Sequence, residues 1–432
     1  MESTPKLLTL GASLLLSFAL QGQTLNTLYS FGHNELGYQP ASGVTLGSNG
    51  EIFGTTPNGG AWGFGVAYEL VPPASPGGAW SYTLLHSFNP QTGEGQPSVG
   101  TTPAIGPSGV LYGVTSYNSA GGGGTVYRLE PTSAGSPWHE NTLMAFMGSD
   151  GQGPDGLGPD GTLSVGQQGA LFGTTTSGGA YGVGVVFRLF PPSVQGGEWA
   201  EQVLYSFGGW AGDGTEPRGP LASASDGAIY GVTGSGGTVS IGGTVFQLLP
   251  PASAGGAWTE SVIHDFTEGG DWGAPNGVIL GSGGALYGTA AGASRLGPCV
   301  ACGDVFQLAP PATPGGPWTE TILHSFTGGY PDTDGSLPDS APVLGPHGEL
   351  YGATYTGGVY GFGTIYEMEP PSSPGAPWKE TILYSFTDGP DGGQPNAVTL
   401  GPDGNLYGTT EIGGVSPDGA RNQGTIFQLV LP

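Results

Sequence analysis

One phenylalanine, closing a short β-branched strand, returns seven times along the chain, at Phe31, Phe88, Phe146, Phe207, Phe266, Phe326 and Phe386, with spacings of 57 to 61 residues. A repeat of this length is one supersecondary unit, and such units bury their apolar faces against copies of themselves. An aromatic-Gly pair recurs in step with it: Phe53-Gly54, Tyr112-Gly113, Phe172-Gly173, Tyr230-Gly231, Tyr287-Gly288, Tyr351-Gly352 and Tyr407-Gly408. So does a strand around Tyr68, Tyr127, Phe187, Phe246, Phe306, Tyr366 and Phe427. Pro-Pro usually follows, as at Pro250-Pro251 and Pro370-Pro371, and ends the strand because proline has no backbone donor.

The last unit sets out the elements. They are Glu380–Phe386, then Ala397–Leu400, the turn Gly401-Pro402-Asp403-Gly404, Leu406–Thr410 and Thr425–Leu429. The strands are rich in β-branched and aromatic residues, and the turn suits a tight hairpin. No segment beyond the N-terminus carries a sustained helical period. Four short antiparallel strands per unit make a propeller blade. The expected fold is therefore all-β, a seven-bladed β-propeller of four-stranded antiparallel blades. By analogy with other propellers, Val398–Leu400 is innermost and the Glu380–Phe386 type outermost. The chain opens with an outermost-type strand, Leu25–Phe31, and closes with three inner strands, so the N-terminal strand pairs with the last blade and removes the open sheet edges. An open solenoid is the alternative fold, and it would want polar capping repeats, of which none is evident.

The run Leu406-Tyr407-Gly408-Thr409-Thr410, the following Gly413-Gly414 and Gly424-Thr425-Ile426-Phe427 have equivalents in every unit. These units resemble the GloVer (Gloeo_Verruco) repeat of bacterial choice-of-anchor tandem-repeat proteins. The resemblance implies an exported, surface-associated protein, often with a C-terminal sorting segment that is not visible here. It implies no established enzymatic activity.

With 88 Gly and 39 Pro, the composition alone would read as low complexity. Placed at fixed points of the repeat, these residues are turns instead. Only 7 residues are Lys or Arg against 33 Asp or Glu, a formal net charge of −26. Such a surface repels phosphate backbones, so no nucleic-acid partner is expected, and anionic membranes are disfavoured for the same reason. Lys6 followed by the apolar stretch Leu7–Leu20 reads as a signal peptide, residues 1–23, too short for a membrane span. Residues 24–432 are then one propeller domain, a secreted or periplasmic monomer with no membrane insertion.

Residues shared by most units are read as structural. Trp80, Trp138, Trp199, Trp258, Trp318 and Trp378 precede the outer strands and are assigned to packing between blades. His86, His264 and His324 share one strand position with Tyr29, Tyr205, Tyr384 and Met144, which again points to packing. What remains gathers on the face formed by the outer-to-inner and second-to-third strand loops. Its aromatics, Trp62, Phe64, Tyr117, Tyr181, Trp210, Trp272, Tyr330 and Tyr360, suit stacking on sugar rings or a protein contact, with loop packing as the plainer reading. The same face collects acidic residues. Asp150, Asp155 and Asp160 at five-residue spacing, and Asp332 and Asp334 in a partial calcium-loop pattern, make Ca²⁺ the one candidate where no cofactor is otherwise expected. Cys299 and Cys302 read as a short disulfide within one loop. No catalytic motif stands out. The function expected is a non-catalytic binding or scaffold protein holding an extracellular polysaccharide or an exported protein. The alternative is an exported glycan-active enzyme, a hydrolase or lyase with carboxylates at the channel mouth.

Overall fold

The structure is a computed structural model that describes residues 23–432 except 33–34, 76, 119–121, 133–136, 147–154, 195, 239–241, 254, 268–272, 293–301, 314, 329–333, 374, 417–418 and 420–422, and leaves the side chains of 117–118 undescribed. Its strands form seven antiparallel blades around an axis. In each blade the chain runs from an innermost strand outward, as in Leu157–Val165, Leu171–Ser177, Val185–Phe190 and Ala200–Ser206 of blade 3. Blade 7 takes its inner three strands from Gly393–Leu400, Leu406–Ile412 and Thr425–Val430, and its outermost strand from Thr24–Ser30 at the other end of the chain. Thr24 lies opposite Val430 and Ser30 opposite Thr425, so the ring closes as its phase predicts.

The recurring aromatics explain why the blades stack. Each strand-ending Phe meets, edge to face, the third-strand aromatic of the next blade. Phe88 meets Tyr127 at 5.1 Å, Phe146 meets Phe187 at 5.3 Å and Phe386 meets Phe427 at 5.3 Å. Phe31, delivered by the closing strand, meets Tyr68 of blade 1 at 5.4 Å and completes the circle. The six tryptophans lie in the same seams. Trp138 packs near Phe53, and Trp199, Trp318 and Trp378 contact Tyr112, Tyr230 and Tyr287 of the preceding blade.

The glycine of the aromatic-Gly pair has a steric reason. A Cβ at Gly54, Gly113 or Gly352 would sit 2.2 Å from the phenol oxygen of Tyr68, Tyr127 or Tyr366, and one at Gly408 would sit 2.6 Å from Phe427 Cζ. The third-strand ring lies flat across the glycine of the second strand, and only hydrogen fits beneath it.

Blades 3, 4, 5 and 7 use Phe at this ring position. Blades 1 and 6 use Tyr68 and Tyr366, each fully buried, with hydroxyls that find no hydrogen-bond partner among the described residues. Burial pushes both phenols well above their ordinary pKa. Tyr68→Phe and Tyr366→Phe should therefore each stabilise the protein, by about 1 kcal/mol, since each removes an unsatisfied buried hydroxyl and keeps the ring. Denaturant unfolding checks this, and a lowered midpoint would show that the hydroxyls have partners after all.

Candidate functional site

Three blades carry the same loop between their second and third strands: Gly59-Gly60-Ala61-Trp62-Gly63-Phe64-Gly65, Gly178-Gly179-Ala180-Tyr181-Gly182-Val183-Gly184 and Gly357-Gly358-Val359-Tyr360-Gly361-Phe362-Gly363. Trp62, Tyr181 and Tyr360 are thus one repeat position, which reading them singly conceals. The backbone is the same in all three. Gly63, Gly182 and Gly361 donate to the carbonyls of Gly60, Gly179 and Gly358, and Gly65, Gly184 and Gly363 to those of Gly59, Gly178 and Gly357. Gly65 has φ +90°, and a Cβ there would lie 2.2 Å from the Thr56 carbonyl oxygen, so the loop requires glycine. A serine of the outer strand braces each tip: Ser87 Oγ accepts from the Ala61 amide at 2.8 Å, and Ser206 and Ser385 accept from Ala180 and Val359 at 3.4 Å.

The result is a rigid turn with an aromatic at its tip. Trp62, Tyr181 and Tyr360 are 46%, 58% and 57% exposed, although a ring of this size normally seeks cover. Two residues on, Phe64 and Phe362 turn the other way and pack on the core, so Phe64 serves as the anchor of its loop. Trp210, in the loop entering blade 4, is 51% exposed. A Cβ on Gly209 would lie 3.1 Å from Tyr181, so Tyr181 reaches over the loop that carries Trp210. Every exposed Phe, Tyr or Trp ring among the described residues is on this one face. The backbone of Tyr117 lies in the second strand of blade 2, at Leu111–Asn118. Trp272, Tyr330, Asp150, Asp332 and Cys299 lie outside the described residues. Cys302 is buried and disulfide-bonded.

The described acidic candidates have three different surroundings. Asp155 faces Glu201, Asp160 lines the axial cavity, and Asp334 accepts from the Thr327 and Gly335 amides at 2.7 Å and lies 3.3 Å from His324. Glu201 belongs to a set visible only once the blades are stacked. Glu140, Glu201, Glu260, Glu320 and Glu380 occupy one outer-strand position and face the preceding blade. Burial, with Glu94, Asp155 and Asp213 respectively as charged neighbours, pushes Glu140, Glu201 and Glu260 up to about 7. Glu320 lies 3.4 Å from His264. Glu380 joins His324 and Asp334 in a group whose ligating atoms all lie within 4.8 Å of one another, one imidazole and two carboxylates that could hold a divalent metal.

A carboxyl whose folded pKa is raised contributes its stability below the unfolded value near 4.5 and loses it as pH rises through about 7. Glu260→Gln should match the parent at pH 4.5 and exceed it at pH 8 by about 1 kcal/mol, a figure reduced for solvent screening. Unfolding midpoints across this range read the difference, and parallel pH curves would sink the assignment.

Around the axis, the inner strands enclose a cavity of about 1000 Å³. One residue follows a proline at the head of each blade's inner segment, Ala41, Ser98, Asp160, Arg218, Asn276, Asp339 and Asn396, and of these Asp160, Arg218, Asn276 and Asp339 line the rim of the cavity. Several of these bond to the proline carbonyl of the next blade. Ser98 Oγ donates to Pro159 at 3.3 Å, Arg218 Nε to Pro275 at 3.2 Å, Asn276 Nδ2 to Pro338 at 2.6 Å and Asn396 Nδ2 to Pro40 at 2.8 Å. This latch between blades was not legible in the sequence, because the position holds five residue types over seven units. Ala41 brings no side-chain donor to this position, and Asp160 and Asp339 bring carboxylates, which when ionised have no proton to donate. Burial raises the pKa of Asp160, and Arg218 nearby pulls it down.

The fold and its loops define a closed seven-bladed propeller with one aromatic-tipped face. The chain belongs to the Gloeobacter/Verrucomicrobia repeat family, whose model matches residues 9–160, 82–300, 152–340 and 274–431. No curated protein matches it. Among solved structures it is similar to a Thermus thermophilus protein assigned as an oxidoreductase (glucose dehydrogenase), at 15% identity and TM-score 0.45, covering 95% of this chain and 100% of that one. It is also similar to an α-L-arabinofuranosidase from Fusarium graminearum, at 11% identity and TM-score 0.43, covering 94% and 97%. A Dyadobacter fermentans protein of unknown function matches at 13% identity and TM-score 0.41, covering 82% and 97%. Among the described residues no helix is long and apolar enough to cross a membrane.

Proposed function

We propose that this is an exported, monomeric, non-catalytic binding protein that holds an extracellular polysaccharide on its loop face. The observation that carries the reading is the set of three glycine-built loops with the same backbone hydrogen bonds, each presenting one exposed ring from blades 1, 3 and 6. Rigid aromatics offer flat apolar area at little entropic cost, which suits the C–H face of a sugar ring. Three of them spread over one face suit a long, repetitive ligand better than a small molecule. The net charge of −26 favours a neutral ligand over an anionic one. Export rests on the signal-peptide pattern of residues 1–23. A divalent cation, Ca²⁺ included, would act beside this face, where Asp334 and its neighbours gather.

A glycan array probed with and without EDTA tests the proposal. Binding to neutral polysaccharide is the expected result, and loss in EDTA would assign a part to the cation. An exported protein as the ligand would leave the array silent. A second reading, a glycan-active enzyme, is favoured by the axial cavity, where Asp160 and Asp339 place two carboxylates at a position that other blades fill with uncharged or basic residues. Release of product from a bound glycan would decide for it.

A further inference from the structure

The axial cavity has two unlike halves. Blades 3 to 6 supply Asp160, Arg218, Asn276 and Asp339, whereas blades 7, 1 and 2 line it with uncharged residues, Val99, Ala397, Leu46 and Leu400 beside Thr45 and Ser48. Val99 comes from Val99-Gly100-Thr101, a stretch that lengthens the inner segment of blade 2, and the Gly100 amide reaches the Ala41 carbonyl of blade 1 at 2.6 Å. Its side chain is 63% exposed.

Arg218 is matched by a second departure in its own blade. Its guanidinium lies over Gly234, where a Cβ would stand 3.0 Å from Cζ and 3.1 Å from Nε. The other blades place Pro57, Ser116, Thr176, Ala291, Tyr355 and Glu411 at this position. Blade 4 alone has glycine there, and blade 4 alone has arginine at the rim. In blades 3 and 6 the rim residue is an aspartate where a donor would complete the latch. Sequences break a local structural rule mainly where function requires it, and here blades 3, 4 and 6 do so toward one cavity.

We infer that the axial cavity is a site for one neutral hexopyranose unit of the bound glycan, with hydroxyls toward the Asp160–Asp339 arc and the apolar ring face toward Val99 and Ala397. The inference rests on the glycan-binding reading above. Carboxylates, an amide and a guanidinium on one wall, with the uncharged side chains of Val99, Ala397, Leu46 and Leu400 opposite, match a ring that is polar at its rim and apolar on its face. The volume is within the range of small-molecule sites. Two carboxylates against one guanidinium disfavour a uronic acid.

The test is titration calorimetry of the full propeller with cellohexaose, laminarihexaose and mannohexaose, and with hexagalacturonate as the anionic comparator. Val99→Trp fills the cavity from an exposed wall position. Asp160→Asn keeps the shape, and its amide can donate to the next blade as Asn276 and Asn396 do, so a loss of affinity would not come from a weaker ring. The expected result is that one neutral hexasaccharide binds and each variant weakens it tenfold or more. Wild-type affinity in both variants overturns the inference, as does binding of hexagalacturonate alone or of no probe at all. The triple variant Trp62→Ala/Tyr181→Ala/Tyr360→Ala separates the two readings. If it loses the hexasaccharide while the axial variants keep it, the axial site is overturned and the loop face stands. The reverse pattern overturns the loop face and leaves the axial site.

Discussion

Deleting residues 24–31 should abolish the cooperative unfolding transition of the propeller. Those residues supply the outermost strand of blade 7, paired from Thr24 opposite Val430 to Ser30 opposite Thr425. They also supply Phe31, 1% exposed, and Tyr29, which stacks on Tyr82 of blade 1 at 4.4 Å. Losing a buried Phe costs about 3–5 kcal/mol, and the Leu25, Leu28 and Tyr29 contacts bring the total to about 8 kcal/mol or more, most of the stability of a typical domain. The exposed edge of Thr425–Val430 would also offer itself to other chains. Scanning calorimetry and light scattering read both effects. An open array of blades would lose only a frayed end, so a small shift in midpoint with no aggregation would contradict the closed ring.

Gly352→Val is expected to be nearly as damaging, at about 4 kcal/mol, above the usual cost of overpacking. The new Cβ would fall 2.2 Å from Tyr366 Oη and 2.4 Å from Cζ. Tyr366 is fully buried between its own blade and Phe326 of the preceding one, at 5.2 Å, so its ring has nowhere to move. Tyr366→Leu on the same background should recover part of the loss, because it removes the atoms in collision. Urea unfolding of the two single variants and the double variant gives the coupling, and strict additivity would mean that the ring and the glycine do not share the space described.

Much of the fold was legible because the same physical demands are repeated in every unit. Phe31 and its six counterparts marked the outer strands, the aromatic-Gly pair marked the second, and the mismatch between the first and last units predicted the closure. The reason for the glycine was not legible, since nothing in sequence spacing says that Tyr366 crosses over Gly352. The candidate site was legible only in part. Trp62, Tyr181, Trp210 and Tyr360 were found as unusual aromatics. That three of them share one loop position emerges only when Gly59–Gly65, 178–184 and 357–363 are laid over one another, and their long sequence separation hides this. Phe64 carried the same signal as Trp62 but points to the core, because alternate residues of a tight loop face opposite ways. Arg218 and Asn276 were missed because the rim position varies between blades and its partner is always on the next blade. The seam carboxylates, Glu201 and Glu260 among them, looked like ordinary surface residues of an outer strand until the neighbouring blade covered them.

The proposed glycan binding depends most on the loop tips of blades 1, 3 and 6 acting as one surface. The direct measurement is the affinity of the protein for the polysaccharide its array selects, compared with single and triple alanine variants of Trp62, Tyr181 and Tyr360. These rings are exposed, so the variants should unfold at the parent's temperature. Each single change should weaken binding severalfold and the triple change by about a hundredfold or more, at about 1 kcal/mol or more per lost ring. Undiminished binding by the triple variant would contradict a binding role for this face.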